Sequence, residues 1–391
     1  MILAPATETE VSEIVRAARA AGRPLAIEGG GTRRGLGRPL QTGDTLSLAR
    51  LIGITLHEPA EMVVSAMAGT PLAVVEETLA SKGQMLPFEP MDHRALYGTE
   101  GAPTIGAVAA GNISGPRRIS AGAARDSLIG VRFVNGLGEA VKSGGRVMKN
   151  VTGLDLVKLQ AGALGTLGVL TEVTFKVLPQ PESALTLVAT GLDDARAIGA
   201  LSLALGSPFE PTGAAHVATG GSAARTLLRL EGFRQSIDYR AHELRRLLAG
   251  FGHWTLQDGE ASARAWREVR DVLPLAARRE DSIWRISVAP SRMPALLASA
   301  APGLPRLLDW GGGLGWLAVP AAETEAVAAR LRAALDGTNG HATLVRAPDA
   351  VRAALPVFQP LPAAIMRLQE GIRRSFDPDG ILNPGLLHAG V

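Results

Sequence analysis

Apolar and polar positions alternate in blocks from the first residues onward. After Thr7 the apolar residues Val11, Ile14, Val15 and Ala18 recur at i, i+3, i+4 and i+7, which predicts an amphipathic helix. Thr7 and Glu10 have the spacing of a capping box at its start, and Gly22 and Pro24 stop it. "PLAIE" then reads as a short strand running into "IEGGGTRRGLG", residues 27–37. Leu46–Leu51 and "GITLHE" predict further short structure. Residues 61–90 read as strand, turn, helix with Leu72, Val75 and Leu79 inward, a Gly83 cap and a strand. "LIGVRFVNGLGEAVKSGG" has a hairpin pattern that turns at Gly136–Glu139. "GLDLVKLQAGALGTLGVLTEVTFKVLP" predicts a short helix, a glycine cluster and a strand alternating Leu170, Val173, Phe175, Val177.

Pro179 and Pro181 mark a boundary, beyond which the texture changes. Strand Ser183–Ala189, helix Asp193–Leu205, strand Thr226–Glu231 and helix Ser236–Leu248 come first. Strand Ile283–Val288, a helix near Pro294–Ala300, strand Leu314–Val319, helix Ala322–Leu335 and strand Ala342–Arg346 follow in comparable order. The pattern predicts two similar half-units in a split αβ sandwich. A helix with Ile365, Leu368 and Ile372 inward and the segment "FDPDGILNPG" close the chain.

Composition narrows the partners. The 391 residues carry a net charge of +3, dispersed and mostly arginine, without a basic run or basic-aromatic pattern. With only two tyrosines and eight phenylalanines there are few stacking platforms for bases, so no nucleic-acid partner is expected. The chain has no cysteine, which excludes disulfides, thiolate nucleophiles, cysteinyl flavin links and iron–sulfur ligation within it. The start lacks the basic region and long apolar stretch of a secretory signal, and no stretch reaches the ~18–20 apolar residues of a membrane span. The expected location is cytoplasmic, with peripheral association at the inner face of the cell membrane only through partners.

The glycines at 29–31 need a reason, because each costs folding entropy. A G-x-x-x-x-G-K-[ST] phosphate loop requires a lysine that this stretch lacks. A G-x-G-x-x-G fingerprint starting at Gly29 would put Arg34 at its third glycine, and the following "GLGRPL" is not helical. Two readings stay open: an extended nest whose N–H groups converge on phosphate oxygens, or an ordinary glycine-rich turn. Arg33 and Arg34 add charge in the first reading and face solvent in the second.

Further stretches join this loop in a recognisable order: "GQMLPFEP", "GAPTIGAVAAGNISGPRRISAGAARDSLIGVRFVNGLGE", "VMKNVTGLDLVKLQAGALGTLGVLTEVTFKVLPQP" and "FDPDGILNPG". The chain thereby resembles the FAD-linked oxidases of the vanillyl-alcohol oxidase / p-cresol methylhydroxylase family, and within it the glycolate oxidase E-subunit group. The resemblance is dense over residues 1–180 and thin between about 185 and 360. It implies an α+β fold with a two-subdomain FAD-binding domain (1–180), a smaller αβ-sandwich cap (181–350) and a C-terminal helix and tail (351–391) returning to the first domain. It implies that Gly29, Gly30, Gly31 and Thr32 cradle the pyrophosphate. Thr104, Ile105, Gly106, Gly111, Asn112, Ser114 and Gly115 match its second flavin-contacting segment. Gly168, Val169 and Leu170 match a stretch whose main chain meets the flavin, and Asn383 matches the returning tail. Arg125 and Asp126 match the "RD" of the group, as ligands or as a structural ion pair. Lys149, Asn150 and Asp155 match a structural motif in which Leu154 replaces the usual tyrosine. The glycine loop has no histidine, so the resemblance implies a non-covalent FAD; His93 is a remote alternative for a link and reads as an exposed or capped loop histidine.

Catalytic residues are not identified. Oxidation of a 2-hydroxy acid needs a cation for the carboxylate and a base near the hydroxyl. Residues 180–391 contain only scattered histidines (His216, His242, His253, His341, His388) and no metal-ligand spacing, so no metal is expected. Arg240, Arg245 and Arg246 read as a solvated helix face. The resemblance then implies an FAD-binding subunit of a glycolate-oxidising complex, with an FAD-containing D-type subunit and an iron–sulfur subunit as partners. The alternatives are a stand-alone FAD-dependent alcohol or 2-hydroxyacid oxidase, and a non-catalytic assembly subunit without FAD.

Overall fold

The computed structural model describes residues 1–145 and 154–388. The opening helix spans Glu8–Ala20. Its cap is reciprocal in an offset form: Thr7 Oγ1 accepts from Glu10 N at 3.2 Å, while the Glu10 carboxylate accepts from Ala6 N at 2.8 Å. Val11, Val15 and Ala18 are buried as the periodicity predicts. The helix covers a small parallel sheet in the order Ile2–Leu3, Asp44–Ser47, Leu25–Glu28. A five-stranded antiparallel sheet lies beside it, ordered Ile54–Glu58, Val63–Met67, Val169–Lys176, Leu128–Val134, Ala140–Gly144. One apolar core, including Val11, Leu25, Leu46, Val75, Phe133 and Phe175, fills the space between them.

Gln84–Met85 and Leu178–Pro179 pair as a short two-stranded ribbon, and eight further strands form one antiparallel sheet. Its first half is strand Ser183–Thr190, helix Asp194–Leu205, strands Gly213–Ala218 and Arg225–Gly232, helix Arg234–Leu247 and strand Thr255–Asp258. The second half repeats that order: Ser282–Ser287, Met293–Ala300, Arg306–Asp309, Leu314–Val319, Thr324–Leu335, His341–Arg346. The two halves join through Gly213–Ala218 and Arg306–Asp309, and their strand orders mirror each other across that seam. Three strands escape the sequence pattern: Gly213–Ala218, Thr255–Asp258 and Arg306–Asp309. Two are only four residues long, and the third is a run of small residues buried on both faces, so none alternates.

The faces of this sheet have different jobs. Leu185, Leu187 and Ala189 point into a core closed by the helices Asp194–Leu205 and Arg234–Leu247. Val188, Val217 and Leu227 point the other way, toward Met91 and Leu96, with Leu36, Tyr97 and Ile113 at the margin. The first unit therefore forms part of the wall of the second sheet's core. Polar contacts reinforce the junction: Tyr97 Oη donates to the Val345 carbonyl at 2.8 Å, and Arg346 Nη1 donates to that of Leu96 at 2.8 Å.

The closing helix, Ala363–Phe376, departs from expectation. Ile365 and Leu368 are 44% and 61% exposed rather than inward, and Ile372 is only partly covered. The helix is held at its C-terminal end, where Arg373 Nη2 donates to the Leu382 carbonyl at 3.1 Å and Phe376 tilts against Phe133. Amphipathic spacing specified the helix without specifying a partner inside this chain.

Candidate functional site: a glycine-walled cleft

A cleft of about 410 Å³ opens beside the parallel sheet. Its wall is built from residues 26–36, from Ala68 with Thr104–Ala110, from Leu164–Leu170 and from the tail at Asn383 and Leu386. Backbone meets backbone here. A Cβ on Gly30 would stand 1.8 Å from the Ala102 carbonyl oxygen, and one on Gly101 would stand 1.7 Å from that of Gly30. A Cβ on Gly106 would strike Ala68, and one on Gly168 would strike the Phe133 ring. Several glycines are thus required for the segments to converge at all, before any ligand is considered.

Among the described residues, the backbone N–H groups of Gly29, Gly30, Gly31, Thr32 and Arg33 donate to no acceptor, although the loop lies in the cleft wall. Gly31 has φ +70°, the left-handed geometry that turns successive N–H groups toward one point. Arg34 is neutralised by Glu28 at 2.6 Å. Arg33 is not: Nη2 donates to the Ala107 carbonyl, and Nη1 is buried without a partner among the described residues. Burial draws this guanidinium down to about 10, so it stays cationic near neutrality. Thr104 Oγ1 is likewise buried and unpartnered. Open N–H groups, an unneutralised guanidinium and a spare hydroxyl fit a pyrophosphate; Leu48, Ala68, Ala107, Ala110 and Leu170 supply apolar wall for flat rings.

Nine of the fifteen residues singled out from the sequence line this cleft: Gly29, Gly30, Gly31, Thr32, Thr104, Gly106, Gly168, Leu170 and Asn383. The other six lie elsewhere. Ile105 and Val169 are core residues, and Gly111 backs onto Arg33. Asn112, Ser114 and Gly115 form the turn at the junction with the large sheet: Asn112 Oδ1 accepts from Arg125 N, Ser114 Oγ from Ala124 N, and the Gly115 carbonyl from Trp310 Nε1. The N–H groups of Ile105 and Gly106 are already given to the Thr70 and Ala68 carbonyls.

Asn383 lines the wall, yet both ends of its amide are engaged within the chain. Oδ1 accepts from Ile27 N at 2.7 Å, and Nδ2 donates to the Leu164 carbonyl at 2.9 Å. It braces the glycine loop against the 164–168 segment. Leu164, Gly165 and Arg352 were not singled out from the sequence, and they complete the wall. The G-x-x-G-x-x-G spacing of Gly162, Gly165 and Gly168 was the available signal for the first two.

Other readings change as well. His93 is buried and stacked on Tyr97 rather than exposed, and burial followed by the Arg33 charge pushes its imidazole down to about 3. Arg240 donates to the Glu231 carbonyl at 2.6 Å and so leaves the solvated face. His216 is fully buried against Thr226. Among the described residues Arg125 and Asp126 form no ion pair with each other; Asp126 accepts from Ala123 N at 2.8 Å. Lys149 and Asn150 lie outside the described residues, and Asp155 caps a short helix by accepting from Lys158 N. Among the described residues there is no group of three His, Asp or Glu that could hold a metal, and no helix is long and apolar enough to cross a membrane.

The site and fold define a class, and comparison with known proteins gives the same one. A family model described as "FAD binding domain" matches residues 1–144. The structure of p-cresol methylhydroxylase with substrate bound superposes with a TM-score of 0.74, covering 98% of this chain and 88% of that one; at 14% identity the likeness is one of fold. The class is that of the FAD-linked oxidoreductases, and FAD is the cofactor.

The chain is 34% identical to glycolate oxidase subunit GlcE of Escherichia coli (strain K12), over 94% of its own length and 93% of that protein's, and it belongs to that family. It is also 29% identical to glycolate oxidase subunit GlcD of Bacillus subtilis (strain 168), over 48% of its own length and 39% of that protein's.

The unpartnered Thr104 hydroxyl gives a first prediction. Thr104→Val removes a buried group that the free protein leaves unsatisfied, so thermal stability should hold or rise. A lost hydrogen bond of about 1 kcal/mol corresponds to FAD affinity weaker by roughly 5–10-fold. Quenching of FAD fluorescence on titration measures it; unchanged affinity removes Thr104 from the ligand set.

Proposed function

We propose that the chain is the FAD-binding subunit of a glycolate oxidase complex. Its units are taken as a PCMH-type FAD-binding domain (1–180), a cap (181–350) and a C-terminal helix and tail (351–391). The single observation that carries the reading is the end-to-end match to GlcE, extending through the large sheet as well as the cleft domain. In this reading the complex oxidises glycolate to glyoxylate, releasing two electrons and two protons, and the electrons pass to an iron–sulfur partner. Bound FAD would supply the two-electron acceptor. This chain's residues hold it: the open N–H groups of residues 29–33 and Arg33 take the pyrophosphate, Thr104 adds a hydroxyl, and Asn383 fixes the loop. A D-type flavoprotein is the other partner, and the complex works in the cytoplasm or against the inner face of the membrane through its partners.

Co-expression with the D-type and iron–sulfur subunits tests the reading. Glycolate-dependent dye reduction should need all three chains, and full activity without this one overturns it. The FAD is non-covalent in the same reading, because residues 27–37 hold no histidine and the chain no cysteine. Acid precipitation should release all the flavin to the supernatant; a yellow pellet contradicts this.

A further inference from the structure

Trp310 bridges the two units. It follows the strand Arg306–Asp309, and its indole Nε1 reaches across to donate to the Gly115 carbonyl at 3.0 Å. Two arginines stand against this one ring. The Arg118 guanidinium carbon, from the first unit, is 4.4 Å from the ring centroid. That of Arg285, from the strand Ser282–Ser287, is 5.3 Å away and lies 6.0 Å from the Trp316 ring as well.

Four other arginines of this junction are satisfied. Arg117 pairs with Glu231, Arg229 with Glu89 and Arg270 with Asp271, while Arg346 donates to several carbonyls. Among the described residues Arg118 and Arg285 make neither a side-chain hydrogen bond nor an ion pair, although Asp126 faces Arg118 and Asp309 faces Arg285 closely enough to favour their charged forms. Burial lowers both, and Arg285 is lowered further by Arg118, so the two cations are close enough to repel. Contact with an indole face attracts each cation but supplies no hydrogen-bond acceptor. Asp309, a buried carboxyl at the end of the strand Arg306–Asp309, is pushed up to about 7 by burial and does not pair with either. His341, on the adjoining strand, also feels both cations. The pair sits near the cleft, since His93 feels both Arg33 of the cleft wall and Arg285.

We propose that Arg118 and Arg285, held on Trp310, bind the carboxylate of a small organic acid at a site distinct from the dinucleotide cleft. The planar forks of two guanidiniums match a carboxylate, which would offset their mutual repulsion. The choice of a 2-hydroxy acid rests on the reading as a glycolate oxidase subunit; the anion site itself stands on two guanidiniums gathered on one indole that, among the described residues, no carboxylate pairs directly.

Oxalate, an unreactive dicarboxylate, is titrated into the full-length FAD-loaded protein and followed by calorimetry and tryptophan fluorescence. Saturable binding with one site per chain is expected. Arg118→Met and Arg285→Met should each weaken it at least 10-fold, with the FAD dissociation constant unchanged within 2-fold. Absence of saturable oxalate binding overturns the proposal, as does undiminished binding by both variants. Should either variant fail to fold, the wild type still decides: glycolate must bind and neutral glycolamide must not, and equal binding of the two overturns the site. The outcomes separate from the fate of the complex. Glycolate turnover by the assembled subunits without oxalate binding here removes this site and leaves the functional reading. Oxalate binding without glycolate turnover does the reverse.

Discussion

Arg229→Met is expected to destabilise the protein by about 3–5 kcal/mol, because it strips the Glu89 carboxylate of its bidentate partner at the junction of the two units. Arg229 is 3% exposed and forks onto Glu89, with Nη1 and Nη2 each 2.9 Å from a carboxylate oxygen. Its Nε lies 3.6 Å from Glu231, which Arg117 holds from the other unit at 2.7 Å. Burial alone would raise the Glu89 carboxyl, but Arg229 and Arg117 overcome it and hold the group at about 2. An ordinary glutamate titrates near pH ~4.3, so this depressed group contributes stability that is complete above that value. The contribution drains away as pH falls from about 5 toward 2. In Arg229→Met the dominant compensating charge is gone and burial raises Glu89 instead, so this contribution now declines as pH increases. Urea unfolding between pH 2.5 and 8 measures both effects. A loss under about 1 kcal/mol, or an unchanged pH profile, contradicts the assignment. The double variant Glu89→Gln/Arg229→Met should recover much of the loss, since it removes both charges.

How far such features were readable in advance depends on chain separation. The Glu8–Ala20 helix and the strand Val169–Lys176 were legible because their signals lie within one window of sequence. The repeated order of the large sheet was legible in outline, since the longer strands alternate and the helices are amphipathic. The three glycine segments could be found from their composition. Their roles could not. Gly30 serves a contact with residues 101 and 102, and Asn383 reaches back to Ile27, 356 residues away. Arg352 enters the cleft wall by donating to the Gly37 carbonyl across 315 residues. No local pattern carries such distances. Arg33 and Arg34 are neighbours of one residue type, and only the fold separates them: Glu28 takes Arg34 and leaves Arg33 without a counter-charge. The same blindness put Ile365 and Leu368 inward, because periodicity reports an apolar stripe and not what lies opposite it.

Gly30→Ala should reduce FAD affinity at least 100-fold, about 2.7 kcal/mol. The added methyl would sit 1.8 Å from the Ala102 carbonyl oxygen, a main-chain atom that no side-chain rotation can move aside. The loop and residues 101–104 must then separate by more than an ångström. That displacement carries Gly29–Thr32 off the position where their N–H groups face the same cleft as Thr104 and Arg33. A pyrophosphate site depends on such convergence, because each N–H contributes only when aimed at the same oxygens. Gly43→Ala is the control: its Cβ would meet nothing within 4 Å, and it should bind FAD like the parent. Fluorescence titration gives the affinities, and a melting curve without FAD separates a moved loop from an unfolded domain. Since the large sheet and most of the first core lie away from this contact, Gly30→Ala should still unfold cooperatively while losing the flavin. Parent-like FAD affinity in Gly30→Ala would mean that the glycine run closes a turn and takes no part in holding the cofactor.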